Sequence, residues 1–198
     1  MKNKHQHNED GTTFVFIESK SKHFPGKHAI IIDTEDWDKV KEHKWRVHPT
    51  GSRYPYAATN IPHPDGGWYY YTGRNGKSSK TRRRTIRQLH QLVMGKPQGG
   101  MVVDHINHNG LDNRKENLRF VTLAQNQQNR RSGRNSSSQY KGVSRRKADN
   151  KWQARIDHEG KQTHLGRYDC EHQAALAYNK KALELWGEYA HLNEVEIQ

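Results

Sequence analysis

Residues 102 to 119, VVDHINHNGLDNRKENLR, place four asparagines, two histidines and two aspartates in eighteen positions with little that can pack a core. Asn and Asp side chains compete for the backbone's own hydrogen bonds, and with Gly they favour turns over helix or ladder. Residues 106 to 117 therefore read as a long loop held by Asx-type bonds. It joins a short strand, MVVDH, to a second, LRFVT. Thr122 then opens a helix, LAQNQQNRR, with Gln125 three residues on to close a capping box. The order is strand, loop, strand, helix.

The same stretch concentrates what hydrolysis of a phosphodiester needs: a base to activate water, a hard cation to stabilise the leaving oxygen, and donors that hold the phosphate in line. His105 can act as the base. Asp104 beside it either points to the other face of the strand or bends toward a metal. An Asn amide oxygen is a neutral hard ligand suited to Mg²⁺ or Mn²⁺, so Asn126 on the following helix can complete a site with Asp104. Such a site keeps most of the ion's waters and a net positive charge, as binding a phosphate requires. Taken one at a time, such residues more often build a tight structural loop than a catalytic site.

Charge points the same way. The chain holds 34 Lys and Arg against 21 Asp and Glu, a formal +13 with a pI near 9.8. That balance suggests a polyanionic partner bound through phosphate neutralisation and counterion release. Arg74 to Arg87 has seven basic residues, including Arg82, Arg83 and Arg84, and no acid; Arg130 to Lys151 has eight against Asp149 alone. Either run by itself can be a solvated face, but two that flank the Asn/His stretch favour a nucleic-acid surface. No segment has the ~18 to 20 apolar residues of a spanning helix, and none follows the N-terminus as a signal peptide would. The expectation is a soluble, intracellular protein. A single cysteine, Cys170, excludes an intrachain disulfide and a multi-Cys zinc site.

Only 31% of the chain is hydrophobic, low for one compact core, so small modules are expected. Residues 1–12 read as a flexible tail and 13–131 as a mostly β unit followed by a core at 101–131. Residues 132–139, SGRNSSSQ, read as a linker. In the N-terminal part TFVFIE, HAIIID, YPYAATN and WYYYT are strands, TEDWDKVKEHKW is a short helix or turn, and TIRQLHQLVMGKP is a helix stopped by Gly95 and Pro97. His90 lies on that helix's apolar stripe, the usual place of a packed residue. Residues 140–198 read as three antiparallel strands, YKGVSRR, KWQARID and KQTHLGRY, then a helix from an N-cap at Asp169 to Gly187. Alternation puts Trp152, Ala154 and Ile156 on one face and Gln153, Arg155 and Asp157 on the other. Lys141, Arg145, Arg146 and His164 are expected to join the second face, where Arg suits guanine edges and phosphates.

Two resemblances sharpen these readings. Residues 101–130, with DH, DNR, ENLR and a helical Asn in order, resemble the HNH endonuclease motif of the phage and homing type. A weaker likeness to phage proteins of that kind extends over the DTEDWDKVKEHKW and LHQLVMG segments before it. The resemblance implies an α+β fold with a small ββα core around one metal ion. Position by position it implies Asp104 as metal ligand, His105 as general base and Asn117 as the residue that orients the base's imidazole. Asn126 would be the second ligand, standing where the family name has its final His, an H-N-N variant. Asn129 is the rival for that place, and Asp112 and Asn113 brace the loop.

Residues 140–193, with YKGVSRR, KWQARI, HLGRYD and EHQAALAYNKKALELWGEYAHLN, resemble the AP2 DNA-binding domain. In that family the sheet face reads DNA, which implies Lys141, Arg146, Gln153, Arg155 and His164 here. Ser144, Ala148 and Asp157 depart from the plant pattern, so a sequence preference does not carry over. The combined expectation is a monomeric, metal-dependent endonuclease of double-stranded DNA, nicking or cutting both strands, with no obligatory protein partner, in a phage or bacterial host cell. A DNA-binding regulator with a decayed nuclease core is the second reading, and an RNA-processing protein the third.

Overall fold

Alternation of buried and exposed residues builds the first sheet. A computed structural model describes residues 3–48, 55–72, 76–130 and 136–195. Strands β1 (His5–His7), β2 (Thr12–Lys20) and β3 (Pro25–Asp33) form an antiparallel sheet in that order, and β2 and β3 pair along their full length. Thr13, Val15 and Ile17 of β2 share a buried face with Ile30 and Ile32 of β3. Residues 3–7 are thus tied into the fold. Asn3 accepts from Trp45 N at 2.7 Å and donates to its carbonyl, and His7 bonds Thr13.

The chain divides into two compact units, residues 1–120 and 121–198. In the first, a 3-10 turn leads into the one-turn helix α1 (Trp37–Val40), followed by β4 (Arg46–His48) and β5 (Tyr56–Pro62). A separate two-stranded ribbon, β6 (Trp68–Thr72) with β7 (Ser78–Arg82), precedes β8 (Arg84–Gln88), which returns to pair with β5. The expected helix from Thr85 is shorter than its periodicity suggested: α2 runs Leu89–Met94, and Ile86 faces Asn60 across β5 and β8. β-branched Thr85 and Ile86 favour the ladder there. Strand β9 (Val102–His105) then pairs with β10 (Leu118–Val121). Val15, Ile30, Ile32, Val40, Trp45, Leu89, Leu111 and Leu118 belong to one core cluster, so the polar loop between β9 and β10 is pinned by Leu111.

In the second unit Thr122 caps α3 (Leu123–Gln128) with the capping box expected from sequence. Strands β11 (Val143–Arg145), β12 (Trp152–His158) and β13 (Lys161–Tyr168) form an antiparallel sheet in that order, packed on α4 (Glu171–Trp186) through Val143, Ala154, Ile156, Ala174, Tyr178 and Ala182. Gly142 is obligatory: at φ +74° a Cβ would lie 2.0 Å from the Tyr178 ring. The N-cap of α4 is Cys170, not Asp169, whose carboxylate pairs with Lys151 at 3.1 Å. Of the expected linker, residues 132–135 lie outside the described residues. The whole is a mixed α/β protein of small sheets and few helices.

Candidate active site and nucleic-acid face

The loop between β9 and β10 is a closed polar lattice. Asn107 Nδ2 donates to the Asp112 carboxylate at 2.9 Å and its Oδ1 accepts from Asn109 N at 2.8 Å. Asn109 Oδ1 in turn accepts from Leu111 N at 3.1 Å, as the Asx reading requires. Asp112 is only 2% exposed, and Arg114 binds both its oxygens, at 2.9 and 2.8 Å. Burial acts to raise the Asp112 pKa, but the hydrogen bonds and charge of Arg114 outweigh it and hold the carboxyl below its usual range. Backbone bonds from Ile31 N to Leu111 O and from Asn113 N to Ile31 O tie the loop to β3. Gly110 is needed because a Cβ there would lie 2.4 Å from the Pro55 carbonyl.

This lattice carries His105 at the end of β9, 4% exposed. Its ring meets Tyr56 at 5.4 Å and His90 at 5.1 Å, and its Nε2 faces Asn113 Oδ1 at 3.4 Å. Burial lowers its pKa against the opposing pull of Asn113, Asp104 and Asp112, so the imidazole is neutral at neutral pH, the state a base requires. His90 is more strongly affected: burial, then the neighbouring His105, push it down to about 3. Asn117 bonds within the loop. Its Nδ2 donates to Asp112 O at 2.8 Å and Asn107 Oδ1 at 3.0 Å, and its Oδ1 accepts from Asn107 N at 2.9 Å. The amide that faces the imidazole is Asn113, whose expected role is to brace the loop.

Asp104 is buried beside His105, and Arg119 Nε on β10 donates to its Oδ2 at 3.1 Å. Among the described residues no group of three or more His, Cys, Asp or Glu side chains could enclose an ion. One carboxylate with amide oxygens fits a hard cation that keeps several waters, as Mg²⁺ and Mn²⁺ do, rather than the ligand cage of structural zinc. In the second unit Asn126 is half-buried on α3, whereas Asn129 is buried as the residue that ends that helix, its N–H bonded to Gln125 O at 3.1 Å.

The open face of the second sheet gathers Arg146, Gln153, Arg155, Gln162, His164 and Arg167 around a shallow depression of about 380 Å³. Four of these six were expected. Gln162 pairs with Asp157 and accepts from Arg155 Nη1 at 3.2 Å. Arg167 reaches the face only because a bulge between Ala154 and Arg155 shifts the register, so that Arg155 faces His164 while Gln153 faces Arg167. Simple alternation from His164 would have turned Arg167 to the helix.

Two expected members are elsewhere. Lys141 Nζ donates to the carbonyls of Gln127 and Gln128 at the negative end of α3 and lies 5.5 Å over the Trp186 ring. Burial, then the charge of Arg130, bring its pKa down to about 8. Arg145 pairs with Trp152, so it points to the helix side, 5.4 Å over that ring. In the first unit Arg82 ends β7, Arg84 begins β8 and Arg83 lies between; all three are exposed.

A buried imidazole beside a carboxylate is an arrangement that metal-assisted hydrolysis can use. The HNH endonuclease family model matches residues 88–128. An uncharacterized HNH endonuclease of Acanthamoeba polyphaga mimivirus is 30% identical over 172 residues, 84% of this chain and 75% of that relative. Protein 3.8 of Escherichia phage T7 is 31% identical over 111 residues, 56% of this chain and 90% of its own length. The chain belongs to the HNH endonuclease family and is an enzyme of the phosphodiester-hydrolysing class. Nucleases of this family generally depend on a divalent metal ion. Its C-terminal region is AP2-like: the AP2-like ethylene-responsive transcription factor TOE2 of Arabidopsis thaliana is 41% identical over 66 residues, 33% of this chain but 14% of that protein. No solved structure matches. No helix among the described residues is long and apolar enough to cross a membrane.

Proposed function

We propose that this protein is a metal-dependent DNA endonuclease in which residues 101–131 form the ββα cutting core and residues 140–198 hold the double-stranded target, with 132–139 as the linker. The observation that carries the reading is His105, buried at the end of β9 beside Asp104 and packed against the Tyr56 and His90 rings. His105 accepts the proton of the attacking water on its ring. Asn113 and the Tyr56 and His90 rings hold that imidazole in place, while Asn117 and Asp112 keep the loop closed beneath it. Asp104 is the carboxylate ligand, and Asn126 the amide ligand that the H-N-N pattern assigns. One Mg²⁺ or Mn²⁺, when bound, supplies charge to the leaving oxygen. Arg146, Gln153, Arg155 and His164, joined by Arg167, bind phosphates and base edges of the duplex. Linking the two functions raises the local concentration of target at the cutter. The protein acts as a monomer inside the host cell, by nicking or by cutting both strands as a homing enzyme does.

A second reading, a DNA-binding regulator that does not cut, is favoured by the Arg119 ion pair already made by Asp104. Plasmid DNA incubated with Mg²⁺ or Mn²⁺, beside EDTA controls, separates the two. Metal-dependent nicking or linearisation is expected; its absence on every DNA tried, including DNA of the protein's own locus, selects the regulator.

A further inference from the structure

The β6–β7 ribbon, which ends in Arg82 of the basic run, lies outside the proposed cutting core and the C-terminal sheet, and its composition is unusual for an exposed hairpin. All ten residues are exposed, with Trp68 at 47%, Tyr69 at 60%, Tyr70 at 71% and Tyr71 at 48%. A two-stranded hairpin with both faces in water is marginal by itself, and aromatic surface on this scale marks an interaction site. Register sorts the side chains onto two faces. Trp68 and Tyr70 lie opposite Arg82 and Lys80 on one, and Lys80 and Arg82 sit 5.0 and 5.7 Å from the Trp68 ring. Tyr69 and Tyr71 lie opposite Thr81 and Ser79 on the other, their rings stacked with centroids 6.3 Å apart and 18° between planes.

We propose that this ribbon binds unpaired nucleotides of DNA, stacking bases on its tyrosines and tryptophan while Lys80 and Arg82 take the phosphates. Residues 66–88 contain no Asp or Glu, so the occupant is an anion. They carry Ile86 as their only aliphatic hydrophobe, outside the ribbon, so insertion into lipid has little to draw on. The π faces of bases are hidden inside a duplex and presented only by unpaired nucleotides, which is what rows of exposed rings are suited to meet.

This inference rests on DNA as the partner, and its test keeps the two apart. Binding of the full chain in EDTA is measured by anisotropy with labelled oligothymidine, a labelled random-sequence duplex and phosphatidylserine vesicles. Duplex binding by wild type reports on the proposed function independently of the ribbon. Tyr69→Ala/Tyr71→Ala should weaken oligothymidine binding by roughly 10- to 100-fold and leave duplex binding within about twofold, while Tyr69→Phe/Tyr71→Phe, which keeps the rings, should bind as wild type. Unchanged oligothymidine binding in the Ala variant, an equal loss on both DNAs, or wild-type binding to vesicles but not to oligothymidine would overturn it.

Discussion

The loop of residues 106–117 and the open face of β12 and β13 treat polar side chains in opposite ways. In the loop Asp112, Asn113 and Asn117 are buried, and Asp112 and Asn117 bond to neighbouring side chains and backbone. On the sheet, Arg146, Gln153, Arg155 and Arg167 are half-buried or exposed, and the nearest carboxylate, Asp149, stands 3.8 Å from Arg146 and 3.6 Å from Arg167. Burial fixes geometry and keeps an imidazole neutral, which chemistry needs. Exposure keeps charge available and reach flexible, which holding a polyanion needs. The cost of disturbing each region should differ accordingly.

The largest effect of a single substitution on folding is expected in the loop. Asp112→Ala removes the buried carboxylate that Arg114 and Asn107 bond and opens the lattice under His105, and a urea melt of the whole chain should show a loss of roughly 3 kcal/mol. A loss no larger than that of an exposed ion pair would mean the loop is not held as described. Next comes pH. His90 is pushed down to about 3 in the folded chain, against ~6.5 when unfolded, so between those values the unfolded state binds more protons. Stability is therefore complete above ~6.5 and falls as pH drops, by up to roughly 1.4 kcal/mol per pH unit, and the lowered pKa of His105 acts in the same direction. Melts at stepped pH check this, and His90→Leu should flatten the slope.

Changes on the exposed face should be smaller and should appear in binding. Arg155→Ala is expected to weaken duplex affinity by about 1–3 kcal/mol with no change in the melting curve, as measured by anisotropy in EDTA. The smallest effect is at the start of α3. Thr122→Ala removes the cap that accepts from Gln125 N at 3.2 Å and should cost about 1 kcal/mol of stability.

Legibility in the sequence followed the same contrast. Where local chemistry decides, as in the capping box at Thr122 and Gln125, the Asx-bonded loop, and the alternation of Trp152, Ala154 and Ile156, residues announced their structure. Where a partner strand decides, they did not. Ser78–Arg82 has no hydrophobic alternation and became strand by pairing with Trp68–Thr72, and His5–His7 did so by pairing with β2. The bulge that turns Arg167 outward and the terminal carbonyls that draw Lys141 away from the sheet are likewise properties of register and packing. His90 was legible as a packed residue, but its contact with His105 was not, because α2 and β9 meet only in the fold.

The division between cutting and holding is tested most directly by single-turnover cleavage with Mg²⁺ at protein concentrations that saturate the DNA. Relative to wild type, His105→Ala should cleave slower by roughly 10²–10⁴ while binding duplex equally well, and Arg155→Ala should cleave within about twofold once bound. Metal-dependent cleavage by His105→Ala at the wild-type rate would contradict the account.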